Sequence, residues 1–268
     1  MRTLDARPHN LPVQPTPFTG RELELGEIGK LIEDRSARLV TLIGPGGIGK
    51  TRLALQAAAG SAEEFRDGVW FVPLAPVVTA DRVPSAIAQA VGAREAEDGT
   101  ASNAVLTEAT DRQMLVVLDN MEHVVDSAPF VAQLLAAGPG VTVLATSREA
   151  LHIAAERLYL VPSMEVPAAE ASADSLESLA HTDAIALFLE RAQARDLRFA
   201  LDASNAEAVA EICRRLDGLP LAIELAAARV SSLGVDGLLE RVREGLAVLG
   251  GGPEDAPERH RTLDAAIA

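Results

Sequence analysis

The sequence predicts an α/β fold: a mostly parallel sheet covered by helices on both faces, followed by a small all-α helical bundle. Three observations predict it. Short strands rich in Val, Leu and Ile alternate with helical segments between residues 38 and 162. Beyond residue 167 four segments read as helices, near 182–195, 204–216, 220–231 and 236–246, and none as a strand. The 268 residues are 48% hydrophobic but 3% aromatic, so a sizeable core must be built from Ala, Leu, Val and Ile. Strands alternating with helices at this spacing pair in parallel, and ligands belong at the carboxyl ends of such strands.

Taken in order, residues 1–17 hold four prolines and little periodicity, and read as an extended leader. Within "GRELELGEIGKLIEDR", Leu23, Ile28, Leu31 and Ile32 fall roughly on one face, which predicts a short amphipathic helix. "RLVTLI" (38–43) is a buried strand running into a glycine-rich turn, and "KTRLALQAAAG" is a helix closed by Gly60. "GVWFVPLA" (68–75) is the second strand, followed by helices over 81–92 and 102–111 with the polar loop "EAEDGT" (95–100) between them. "MLVVLD" is the third strand, "HVVDSAPFVAQLLAAG" its helix, "VTVLATS" (141–147) the fourth strand and "RLYLVP" (157–162) a candidate fifth. The predicted organisation is a leader at 1–17, a sheet domain at 18–167, a helical bundle at 168–249, and a linker leading into a further helical segment at 250–268. There is no internal repeat.

The net charge of −15, from 24 basic and 39 acidic residues, argues against this chain alone gripping nucleic acid or an anionic membrane. A single cysteine, Cys213, excludes a disulfide framework and a cysteine-based zinc site, and points to a reducing, cytoplasmic setting. Cys213 shares a helical stripe with Val209, Ile212 and Leu216, which reads as packing. No apolar run is long enough for a membrane span, and the start lacks the apolar core of a signal peptide. The five histidines show no metal-ligand spacing, and there is no G-x-S-x-G nucleophile elbow.

The chemistry is concentrated in four short stretches. "GPGGIGKT" (44–51) fits G-x-x-x-x-G-K-[ST] between a buried strand and a helix. Gly44, Gly46, Gly47 and Gly49, with Ile48 among them, let backbone N–H groups converge on one anion, and the helix that begins at Lys50, Thr51 and Arg52 adds its positive end. Lys50 supplies a mobile charge for terminal phosphates and the Thr51 hydroxyl can ligate magnesium; Lys50 and Lys30 are the chain's two lysines. In "LVVLDNMEH" (115–123) Asp119 ends a buried strand at the same sheet edge, where a carboxylate can hold the magnesium opposite Thr51; the plainer alternative is a helix cap. Many P-loop ATPases place a second acid at the next position, but here it is Asn120, which can hydrogen-bond water and cannot take its proton. Glu122 could substitute, although nothing in the sequence sets its direction. "LATSRE" (144–149) ends the fourth strand with Arg148, whose planar fork can read a terminal phosphate or merely cap the strand end. In "RRLDGLPLAIELAAARV" (214–230), Gly218 ends one helix and Pro220 starts the next.

These motifs, in their order and spacing from residue 10 to about 268, resemble the STAND class of signalling ATPases in its NB-ARC-like branch. That branch includes bacterial transcriptional regulators, the apoptosome and plant disease-resistance switches. "NLPVQPTPFTGRELEL", "LIGPGGIGKTRLAL", "LVVLDNMEH", "VLATSREAL", "LYLVPSM" and "ICRRLDGLPLAIELAAAR" carry the resemblance. The "LDNxEH" and "SREAL" variants look most like actinobacterial regulators with LuxR-type or SARP-type DNA-binding domains elsewhere in the chain.

The resemblance implies a P-loop NTPase sheet of the additional-strand type, with "VTVLATS" between the "RLVTLI" and "LVVLD" strands. It places Arg148 as a γ-phosphate sensor, Phe18 and Thr19 near adenine, Arg21 on the ligand and Pro220 against the base, so that the nucleotide lies between two domains. It implies ATP or ADP with Mg2+ as ligands, a closed monomeric ADP form, and self-association with ATP in a longer protein. Slow hydrolysis suits such a timer and fits Asn120. "RHRTLDAAIA" would begin a winged-helix domain that is otherwise missing, together with the histidine that domain gives to ADP. A conventional P-loop enzyme, a fast ATPase or a small-molecule kinase, is the competing reading; between residues 81 and 113, where a lid would need basic residues, there are Arg82, Arg94 and Arg112. A nucleotide-independent scaffold is a third, opposed by the intact Gly49, Lys50, Thr51 and Asp119.

Overall fold

The strands β1 (Leu39–Ile43), β2 (Val69–Pro73), β3 (Met114–Asp119), β4 (Val141–Ser147) and β5 (Glu156–Leu160) form one parallel sheet in the order β2-β3-β4-β1-β5. They belong to a computed structural model that describes residues 7–34, 37–93, 99–168 and 176–244. The "VTVLATS" strand therefore lies between β1 and β3, as the additional-strand arrangement requires. β3 and β4 are buried along their whole length, which is why they are runs of apolar residues rather than alternating ones.

The helices are α1 (Glu22–Glu33), α2 (Lys50–Gly60), α3 (Val83–Val91), α4 (Ala101–Ala109) and α5 (Ala128–Ala137) around the sheet, then α6 (Leu176–His181), α7 (Asp183–Gln193), α8 (Ala206–Arg215), α9 (Pro220–Ala227) and α10 (Val230–Glu244). The described residues divide into two compact units. One holds residues 7–17, Glu22–Gly44 and Lys50–Val161; the other holds Phe18–Arg21, Pro45–Gly49 and residues 162–244.

In the sheet unit, Val116 and Leu118 of β3 join Val143 and Ala145 of β4 in one core layer with Ile87 of α3, Val105 of α4 and Leu134 of α5. Strand side chains alternate between faces, so Leu115 and Val117 point to the other side, where α2 packs against β3 and β4. The register sets the ends of the strands: Leu118 pairs with Ala145 and Leu42 with Thr146, so Asp119, Thr146 and the start of the glycine loop share one edge.

In the helical unit, Ile185 and Phe188 of α7, Val209, Ile212 and Cys213 of α8 and Ala222 and Ile223 of α9 form a second core. Cys213 is buried with its Sγ 3.6 Å from the Ala184 carbonyl, and burial pushes its thiol up to about 12, so it is inert packing.

The chain departs from its predicted elements in several places. The helix expected to start at His123 begins at Ala128 instead, because Met121–His123 and Val125–Ser127 form two 3-10 turns before Pro129 enters the first helical turn. α9 ends at Ala227, and α10 is interrupted at Gly234, whose φ of 68° and ψ of 170° are not helical. The polar stretch before residue 181 contains the short helix α6. The leader is extended but not idle. The Pro8 carbonyl accepts from the Val69 N–H at 3.0 Å, and the Asn10 side chain both accepts from the Phe71 N–H (2.5 Å) and donates to the Phe71 carbonyl (2.8 Å). Most of the 95–100 loop and the 250–268 linker and winged-helix start lie outside the described residues. Among the described residues no helix is long and apolar enough to cross a membrane.

Candidate functional site

At the carboxyl edge of the sheet, β1 runs into Gly44 and α2 begins at Lys50. The Lys50 ammonium donates to the Gly44 carbonyl at 2.7 Å. Burial lowers its pKa below the ordinary lysine range; the Glu122 carboxylate opposes that, Arg148 reinforces it, and Asp119 opposes it more weakly than Glu122. Lys50 is thus a partly desolvated cation held between charges of both signs.

Asp119 is 2% exposed. Its Oδ1 accepts from the Thr51 hydroxyl at 2.6 Å and from the Thr146 hydroxyl at 2.7 Å. The structure therefore brings together two residues 68 positions apart. A hydroxyl and a carboxylate are hard oxygen donors, which suit magnesium; that ion keeps few protein ligands and fills its shell with phosphate oxygens and water. Among the described residues no group of three or more His, Cys, Asp or Glu is placed to hold a metal on its own.

Thr146 was missed in the sequence. Besides bonding Asp119 it accepts from the Asn120 N–H at 2.9 Å, so one hydroxyl fixes both the acid and the turn after it. The available signal was one of three hydroxyl residues, with Thr142 and Ser147, in a buried strand, so Thr146 did not stand out. Asn120 has φ 72° and ψ 53°, a left-handed conformation that Asn tolerates better than most residues. Arg148, just past β4, is 39% exposed, with its Nε 3.7 Å from Glu122 Oε1. Arg52 donates to the Thr16 and Pro17 carbonyls at 3.0 and 2.6 Å, tying the end of the leader to α2.

The remaining assigned residues lie in the helical unit. Thr19 donates to Glu190 Oε2 at 2.5 Å, and Glu190 and Glu224 both pair with Arg191. Gly20 has φ 68°, and a Cβ there would lie 2.5 Å from the Asp183 carboxyl, so the close approach demands glycine. Arg21 is 4% exposed; its backbone N–H meets Asp183 at 3.1 Å, and its guanidinium donates to the Ile48 and Pro162 carbonyls at 3.0 and 2.9 Å. Phe18 is half-buried. Within the glycine loop, Gly46 and Gly47 are half-buried and Gly49 has φ 91°; the Gly47 carbonyl accepts from the Leu221 N–H at 3.2 Å. A Cβ built on Gly49 would lie 3.8 Å from Pro220 Cγ, so the "GLPLA" turn packs directly on the loop.

A glycine loop joining a buried parallel strand to a helix, with its threonine bonded to an aspartate at the end of a neighbouring strand, defines the P-loop nucleotide-binding class. The sequence matches the NB-ARC domain over residues 24–160, and the chain belongs to that family. A Mycobacterium tuberculosis protein named as a proposed HTH-type transcriptional regulator is 43% identical over 231 residues, covering 86% of this chain and 24% of that one. The regulatory protein AfsR of Streptomyces coelicolor is 28% identical over 246 residues, covering 86% of this chain and 22% of AfsR. The chain thus spans about a quarter of the length of these curated relatives. The fold is shared with the Signal Transduction ATPase with Numerous Domains (STAND) protein with a tetratricopeptide repeat sensor from Pyrococcus horikoshii, at a TM-score of 0.50, 16% identity, and coverage of 87% of this chain and 33% of that one.

Proposed function

We propose that this chain is the nucleotide-binding core of a STAND-type regulatory switch that binds ATP and ADP with magnesium, acting within a transcriptional regulator. The observation that carries this reading is the 2.6 Å bond between Thr51 and Asp119 beside Lys50. Thr51 and Asp119 would hold the magnesium, which supplies charge neutralisation on the phosphates. Gly44, Gly46, Gly47, Ile48, Gly49 and Arg52 supply or support the loop around the phosphates, and Lys50 and Arg148 face the terminal one. Phe18, Thr19, Arg21 and Pro220 serve the rest of the nucleotide.

A switch needs the γ-phosphate to favour one domain arrangement over another, and its output is that arrangement: a monomer with ADP, self-association with ATP in a longer protein. Slow hydrolysis then sets the lifetime of the active form, in a cytoplasmic setting. With a charge of −15 this chain leaves DNA binding to other parts of the regulator.

The test is to identify the nucleotide that co-purifies and to titrate ADP and ATP, with and without magnesium, against the wild type, Lys50→Ala and Asp119→Asn. Retained ADP, loss of binding in Lys50→Ala, and loss of the magnesium-dependent part in Asp119→Asn are expected. Equal binding by all three proteins would sink the reading. Turnover faster than about 1 s−1 would favour a conventional enzyme instead.

A further inference from the structure

The residue after the strand-end acid is an amide, so the proton of an attacking water has no acceptor at position 120. The backbone shows where one stands. Asn120 turns left-handed, and the 3-10 turn Met121–His123 that follows brings Glu122 within electrostatic reach of Lys50. This turn is pinned at several points. The Asn120 N–H is held by Thr146 at 2.9 Å, Met121 is fully buried, and the Val124 N–H closes on the Met121 carbonyl at 3.0 Å. His123 Nε2 lies 3.0 Å from the Leu74 carbonyl and 2.9 Å from the Val77 carbonyl. Both partners are acceptors, so Nε2 carries a hydrogen and ties the turn to the loop after β2.

Glu122 is 21% exposed and uses one oxygen, Oε1, toward Arg148 at 3.7 Å. The other oxygen, Oε2, has no access to solvent and no hydrogen-bond donor among the described residues. Glu122 is also the carboxylate acting most strongly on the Lys50 ammonium, ahead of Asp119. A buried carboxylate oxygen without a protein donor is costly, and a water, an ion, a ligand or a reacting group must supply its partner.

We propose that Glu122 is the catalytic carboxylate that accepts the proton of the attacking water in ATP hydrolysis, with Thr146 and His123 as its positioning residues. This rests on the nucleotide-binding reading above. As the water O–H bond breaks, its proton goes to Glu122 and its oxygen forms the new bond to the γ-phosphorus. The bond from that phosphorus to the β–γ bridging oxygen breaks, and its electron pair leaves with ADP. The proton then passes from Glu122 to the released phosphate, which restores the carboxylate.

The experiment compares the wild type, Glu122→Gln and Glu122→Asp in the full chain. It measures melting temperature, affinity for ADP and Mg·ATP, and single-turnover conversion of bound ATP. Glu122→Gln is expected to bind both nucleotides within about threefold of wild type and to convert bound ATP about 100-fold more slowly, trapping it. Glu122→Asp, which keeps the charge at shorter reach, should recover about tenfold over Gln. Conversion by Glu122→Gln at the wild-type rate, equal rates for Gln and Asp, or an affinity loss that accounts for the slower rate would each overturn the proposal. Wild type that binds ATP without converting it removes the role of Glu122 and leaves the binding site intact. Wild type that binds no nucleotide removes both.

Discussion

The Thr146 hydroxyl stands 2.7 Å from Asp119 Oδ1, at the ends of two adjacent parallel strands. Because Asp119 is buried, its charge is tolerable only while such donors remain. Thr146→Val keeps the shape and removes the hydroxyl from both Asp119 and the Asn120 N–H. It should destabilise the chain by about 1–3 kcal/mol in denaturant unfolding, and lower the affinity for Mg·ATP more than that for metal-free ADP. Unchanged stability and affinity would mean that Thr51 alone suffices to hold the acid.

Asn120 is a second case, in which backbone and chemistry can be separated. At φ 72°, Asn120→Gly should leave nucleotide affinity unchanged, whereas Asn120→Val should cost about 1–2 kcal/mol by the same unfolding assay. Asn120→Asp offers an acid at the expected position. With the proton going to Glu122, its turnover should stay within about threefold of wild type. A large rise would move the task to position 120.

Lys50 gives a pH dependence with a definite sign. Burial lowers its pKa, so the native chain releases this proton at a lower pH than the unfolded chain does. Between the two values the unfolded chain binds more protons, and the contribution of this group to stability rises with pH through that window. Acylation with a small amine-reactive anhydride, followed by mass spectrometry, should show a midpoint for Lys50 below its midpoint in denaturant. Mg·ATP should suppress the reaction at Lys50 and leave the exposed Lys30 unaffected.

Arg21 joins two carbonyls, of Ile48 and Pro162, through the two hydrogens of one guanidinium nitrogen, Nη2. Lysine has a shorter reach and a more strongly hydrated charge, so it suits this nearly buried position less well. Arg21→Lys should cost about 2 kcal/mol and Arg21→Ala about 3 kcal/mol, as charged hydrogen bonds to one buried and one part-buried carbonyl are lost. Thermal unfolding in the absence of nucleotide checks both. Equal melting temperatures for Arg and Lys would show that only the charge matters.

The strands themselves and the nearness of Thr51 to Asp119 could be read from the chain because they follow from patterns it spells out: apolar runs of strand length, a glycine spacing, and an acid where a run ends; the strand order was implied by the family resemblance and not by these patterns. The four residues "LVVL" before Asp119 announce a strand buried on both faces, and such a strand can place an acid at only one edge. What stayed hidden depended on a single torsion or on a partner far along the chain. Nothing in "DNMEH" reveals that Asn120 turns left-handed, so Glu122 could be named but not aimed. Thr146 read as the end of a strand because its partner, Asp119, lies 27 positions away. The helix expected from His123 failed because apolar periodicity cannot separate two 3-10 turns from the first turns of an α-helix.

The leader has a consequence outside the nucleotide chemistry altogether. β2 is a border strand, and a border of free N–H and C=O groups is where foreign strands attach and aggregates grow. Here the Pro8 carbonyl and the two ends of the Asn10 amide take up the bonding groups of Val69 and Phe71, and Pro73 finishes the strand without a donor. A few residues of proline-rich chain thus act as a selvedge along β2, closing that border of the sheet against a neighbouring strand. A chain trimmed back to α1 would keep every phosphate-binding residue, lose that border, and leave the β2 edge open to pairing with a foreign strand.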